Sequence, residues 1–70
     1  MKLIGKKIKE IRKKSGWSQD SILPGHQSLV SQIEKGIIKN PSKDKLGEIA
    51  KNLDLSFDEL IEDTDWDPIK

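Results

Sequence analysis

Cysteine is absent from this chain, so neither disulfide bonds nor thiolate metal sites can brace its core. Histidine occurs once, as His26, which excludes a histidine cluster. No apolar run approaches the roughly 20 residues of a membrane span, and no charged-then-apolar start suggests a secretory signal. These absences point to a reducing, cytoplasmic setting with no membrane insertion. Enzyme chemistry finds as little: there is no paired histidine and carboxylate, no nucleophile elbow, no glycine-rich phosphate loop and no metal-ligand spacing. The acids between 58 and 67 lack the glycine and the alternation of a calcium loop. A binding protein without cofactor is expected, not an enzyme. At 70 residues it has room for one small domain.

The net charge of +1 hides a segregation. Residues 1–45 carry eleven lysines and arginines against four acids, a net of +7, whereas residues 46–70 carry two against eight, a net of −6. A polyanion would be drawn to the first part and repelled by the last. The plainer reading of each lysine run is a solvated helix face.

Strict alternation of apolar and polar residues is also missing, so strands are not expected. The apolar residues instead recur at helical spacing. Ile4, Ile8 and Ile11 define a first helix over about residues 3–14, ended by Ser15-Gly16. Ser18 caps a second helix from Gln19 to Leu23, which Pro24-Gly25 cuts short. A third begins near His26 or Gln27 and stops at Gly36. After a loop closed by Pro41, Ser42 caps a fourth helix with Leu46, Ile49, Ala50 and Leu53 on one face. Ser56 and Glu59 have the spacing of a capping box for a fifth, Phe57 to Ile61. The fold class is therefore all-α, a five-helix bundle over residues 1–61, with 62–70 as an acidic tail or linker. Trp66, within that acidic stretch, either packs back onto the bundle or marks a partner surface.

The third helix carries the most information. Val30 and Ile33 share a face that can be buried, while Gln27, Ser28, Ser31 and Gln32 present only amides and hydroxyls. Such groups can exchange hydrogen bonds with base edges without bringing a charge into the contact. The competing reading is an ordinary amphipathic surface helix.

Taken in order, Arg12…Gly16, Ser18-Gln19, Val30-Ser31-Gln32-Ile33-Glu34-Lys35-Gly36, Asn40-Pro41-Ser42 and Leu55-Ser56-Phe57-Asp58-Glu59-Leu60 resemble the Cro/repressor (XRE-type) helix-turn-helix family over roughly residues 3–61. The family has a longer second helix with alanine where this chain has Leu23, followed by a turn of the type Leu-Gly-Val-Ser. Here the segment is a few residues shorter, and Pro24-Gly25 stands in for the turn. His26-Gln27-Ser28 is also similar to the DNA-binding heads of peptide-sensing regulators, which continue into a tetratricopeptide-type domain that this sequence does not contain. The chain is then either a complete small regulator or the head of a longer one.

The resemblance implies that helices two and three form the helix-turn-helix and that helix three enters the DNA major groove. It assigns base contacts to Gln27, Ser28 and Gln32. Leu29 either touches a thymine methyl or belongs to the core. Phosphate contacts would come from Gln19, His26, Lys35, Lys39, Asn40 and Lys43, with Lys6, Lys7, Lys9, Lys13 and Lys14 supplying diffuse attraction. Arg12 and Glu34 would form a structural ion pair, and Trp17 would be core. The expected partner is double-stranded DNA, bound as a homodimer by a transcriptional repressor or regulator, with a further regulatory domain or partner protein as an option. The alternative is an adaptor or antitoxin-like module using the acidic tail.

Overall fold

A computed structural model describes residues 2–67. The helices are α1 (Ile4–Ser15), α2 (Gln19–Ile22), α3 (Gln27–Glu34), α4 (Lys43–Asn52) and α5 (Phe57–Ile61). Among the described residues no strand forms, and the one bridge pairs Lys2 with Thr64. The all-helical, five-helix architecture is the one expected.

Local chemistry accounts for most helix ends. Ser18, Ser42 and Ser56 each accept a backbone N–H from three residues on. At α5 Glu59 reaches back to the Ser56 N–H, completing the capping box. Leu3 has no such side chain to offer α1. The carboxylate of Asp65 does the work from the other end of the chain, accepting the Ile4 N–H at 3.2 Å. Lys7 returns the service at the end of α5, where its ammonium donates to the carbonyls of Glu59 and Glu62 at 2.7 and 2.5 Å. Lys7 is thus tied to the main chain at the end of α5, while its ammonium keeps its charge.

The core gathers one or more residues from every helix: Ile4 and Ile8, Ile22, Val30 and Ile33, Leu46, Ile49 and Ala50, and Leu60. Leu23 and Leu53, just past α2 and α4, join them. Trp17 is half-buried against this cluster, at its edge and not within it. Gly5 lets α1 and α3 meet. A Cβ at that position would lie 1.8 Å from the Ile33 carbonyl oxygen, so only glycine permits the crossing.

The described part of the stretch expected as an acidic tail or linker contacts the bundle. Residues 62–66 fold back along it. Lys2 and residues 63–65 exchange backbone bonds, Lys2 N–H to Asp63 at 3.0 Å and Asp65 N–H to Lys2 at 2.9 Å. Thr64 and Trp66 are buried. The acids that made this stretch look like a linker flank two side chains that complete the core. Residues 68–70 of the expected tail lie outside the described residues.

Candidate nucleic-acid interface

α3 is split cleanly between its two sides. Val30 and Ile33 are 0% and 1% exposed, which fixes the helix's rotation about its own axis. At 100° per residue, Ser28, Ser31 and Gln32 then point away from the core, with Gln27 at the edge of the same face. Gln27, Ser28 and Gln32 are exposed. None of their side chains has a hydrogen-bond partner among the described residues. Leu29 differs from this group: it is half-buried and packs against the core cluster. Its place on the helix, four residues before Ile33, explains this.

The back of α3 is held by charge as well as packing. The Arg12 guanidinium grips both oxygens of Glu34, Nε to Oε2 at 2.7 Å and Nη2 to Oε1 at 3.0 Å. Its remaining nitrogen donates to the Trp17 carbonyl at 2.9 Å. The pair is 13% and 2% exposed on its two side chains. The hydrogen bond to Glu34 raises the Arg12 pKa above its already high ordinary value. Gln19 adds a third donor to Glu34, Nε2 to Oε1 at 3.2 Å. Three elements therefore converge on one carboxylate: the end of α1, the start of α2 and the end of α3. For Gln19 this means that the side chain expected at a phosphate also serves as an internal strut.

The turn between α2 and α3 is compact. Gly25 adopts φ 81°, a left-handed conformation that favours glycine, and its N–H is taken by the Asp20 carboxylate at 3.2 Å. Asn52 of α4 donates to the Ile22 carbonyl, closing the end of a helix only four residues long. His26 occupies the N-cap position of α3, exposed and with no capping bond from its side chain.

Beyond α3, the Gln32 carbonyl accepts the N–H groups of Ile37 and Ile38 at 2.9 and 3.2 Å, and Gly36 follows the helix with φ 82°. Lys35, Lys39, Asn40 and Lys43 are exposed along this stretch. The backbone thus brings Gln27, Ser28 and Gln32 onto one face, without Leu29, and the expected phosphate residues come before and after them in the chain.

Two contributors escaped the sequence reading, Gly5 and Asn52, and for Trp66 packing on the bundle is one of the two readings that the sequence leaves open. Gly5 lies within a lysine-rich helix, where an isolated glycine is itself a hint of close packing. Asn52 carried no signal. Trp66 donates its indole N–H to the Pro41 carbonyl at 2.7 Å, which links the folded-back segment to the loop after α3. Among the described residues no group of histidines, cysteines or acids is arranged to hold a metal ion. No helix there is long and apolar enough to cross a membrane.

A short helix set against a second across a tight turn, with its back anchored and its front bare, is a helix-turn-helix unit. The helix-turn-helix family profile matches residues 25–60, and the chain belongs to this family, in its XRE-type (Cro/repressor) branch. The match begins at Gly25, just past the shortened α2. Among solved structures, the chain is similar to SinR, described as the master regulator for biofilm formation, in complex with DNA. The two share 32% identity over 84% of this chain and 98% of that one, with a TM-score of 0.74. Comparison with curated protein sequences gives no match.

Proposed function

We propose that this chain is a sequence-specific double-stranded DNA-binding protein that regulates transcription, most simply as a repressor, with α3 lying in the major groove. The observation that carries the reading is the amide face of α3: the side chains of Gln27, Ser28 and Gln32 are exposed and without hydrogen-bond partners among the described residues, while Val30 and Ile33 are buried behind them. Family membership and the likeness to a DNA-bound regulator support it. A glutamine amide can pair bidentately with adenine, and each such pair discriminates by about 1–3 kcal/mol.

In this reading Gln27, Ser28 and Gln32 address bases, with Leu29 at the rim of the contact. Lys35, Lys39, Asn40 and Lys43 hold the backbone on one side of the groove, and Gln19 and His26 on the other. A single head of this size makes few contacts. Two copies on half-sites about 34–36 Å apart would supply the missing affinity. We place the protein in the cytoplasm and assign it binding, not catalysis. The adaptor reading relied on an acidic tail with Trp66 as its anchor, and that residue is buried and bonded to Pro41.

The test is selection from a random duplex pool, followed by comparison of two variants on the enriched site. Gln32→Ala should relax base preference. Lys39→Ala should weaken all sequences alike and lower the slope of log K against log salt by about one. A pool that yields no enriched sequence would overturn the proposal.

A further inference from the structure

We infer that Trp66 is a positioning residue for DNA binding: it holds the loop of residues 39–43 in the shape in which Lys39, Asn40 and Lys43 meet the phosphate backbone. The inference rests on the assignment of those three residues proposed above. It goes further by giving Trp66, a buried residue after α5, a part in binding.

Two contacts bracket the loop. At its middle, Pro41 is buried between exposed neighbours, and its carbonyl accepts the Trp66 indole N–H at 2.7 Å in a buried bond. At its end, the Lys43 ammonium stands 5.9 Å from the centroid of the Phe57 ring. The Trp66 indole meets that same ring edge-to-face, centroids 5.3 Å apart and planes at 84°. One side chain therefore touches the loop directly at Pro41 and, through Phe57, at Lys43.

The indole is itself well held. Asp65, its neighbour, receives the Ile4 N–H and gives its own N–H to Lys2. The Thr64 hydroxyl donates to the Ile61 carbonyl at 2.6 Å. The loop is thus tied, through Trp66, to the first turn of α1 and the end of α5. Restraint of this kind lowers the ordering entropy that lysines on a loop lose when they close on phosphates. Loss of the tie leaves every charge in place and makes the grip looser.

The experiment uses the full chain and the duplex enriched by selection. Trp66→Phe keeps an aromatic ring and removes the indole N–H. We expect binding about three- to tenfold weaker and a salt slope reduced by about one, with base preference unchanged. Amide exchange over residues 38–42 should quicken. Phe57→Leu, which breaks the second contact, should shift the same readouts in the same direction. Ile49→Val, a core change in α4 away from the loop, should lower the melting temperature without touching the salt slope.

Wild-type affinity and slope in Trp66→Phe and Phe57→Leu, with melting lowered as in Ile49→Val, would reduce Trp66 to a core residue and overturn the inference. Failure of the wild-type chain to enrich any duplex would instead sink the DNA reading itself. In that case unchanged exchange over 38–42 in Trp66→Phe would overturn the restraint separately.

Discussion

The two sides of α3 follow opposite rules. On the back, every group is committed: Val30 and Ile33 are closed off from solvent, the Ile33 carbonyl lies against Gly5, and the Glu34 carboxylate accepts from Arg12 twice and from Gln19 once. On the front, the side chains of Gln27, Ser28 and Gln32 have no hydrogen-bond partner among the described residues. A side chain already satisfied within the protein gains little by turning to a base. One left bare but aimed by a rigid helix has its full hydrogen-bonding capacity to give. Changes on the back should therefore be read in stability and changes on the front in recognition.

The largest departure should come from Gly5→Ala. Its methyl would meet the Ile33 carbonyl at a distance that side-chain motion cannot relieve, so α1 and α3 must separate. We expect a loss of about 3 kcal/mol or more, seen as a melting temperature lower by ~10 °C or more. Near-normal melting would mean that the helices are not held at this crossing.

Glu34→Ala comes next. It leaves the Arg12 guanidinium, 13% exposed, without its carboxylate, at a cost of about 3 kcal/mol, reduced to the extent that water reaches the charge. Chemical denaturation of Glu34→Ala, Arg12→Ala and the double variant would measure the coupling. Additive losses would contradict a shared network.

Leu29 tests the border between the two sides. Leu29→Ala should lower stability by about 1–2 kcal/mol, below the range for a fully buried leucine, because the side chain is only half-buried. It should leave base preference nearly unchanged. A shift in preference at a thymine, with stability unaltered, would move Leu29 to the front.

The smallest effect lies on the outer face of α1. There Lys2 donates to Glu10 and holds that carboxyl below the ordinary carboxylate range. A lowered pKa in the folded state means stability that is present above the unfolded value, about 4.3, and lost as the pH falls through the folded one. Glu10→Gln should melt slightly below wild type near neutral pH, and the difference should shrink as the pH is lowered through the folded-state value of Glu10.

Much of this was legible in the residues. The isoleucine spacing of α1, the three serine caps and the leucine periodicity of α4 are local rules, and each produced its helix within a residue or so. The split of α3 could be read because burial and exposure alternate with the helical period itself. The Arg12–Glu34 pair is a different case. Its partners stand 22 positions apart, and only the family resemblance joined them.

What stayed hidden was long-range and compositionally disguised. Lys7 looks like any solvated lysine, yet it caps a helix more than 50 residues away. Asp65 looks like one acid among many, yet it supplies the N-terminal cap that Leu3 cannot give α1. For Trp66, packing back is one of two open readings, and what stayed hidden was its partner, a carbonyl 25 residues earlier. In each case the residue's partner is set by tertiary packing, which no local pattern encodes.

The central claim is that the front of α3 meets bases directly, and its most direct test is a nuclear magnetic resonance titration of the labelled chain. The side-chain amide signals of Gln27 and Gln32 would be followed against the enriched duplex and a scrambled one of equal length. Both signals should move strongly with the enriched duplex and weakly with the scrambled one, while the methyl signals of buried Val30 and Ile33 change little. Equal movement with both duplexes, or changes confined to α1 and α5, would contradict it.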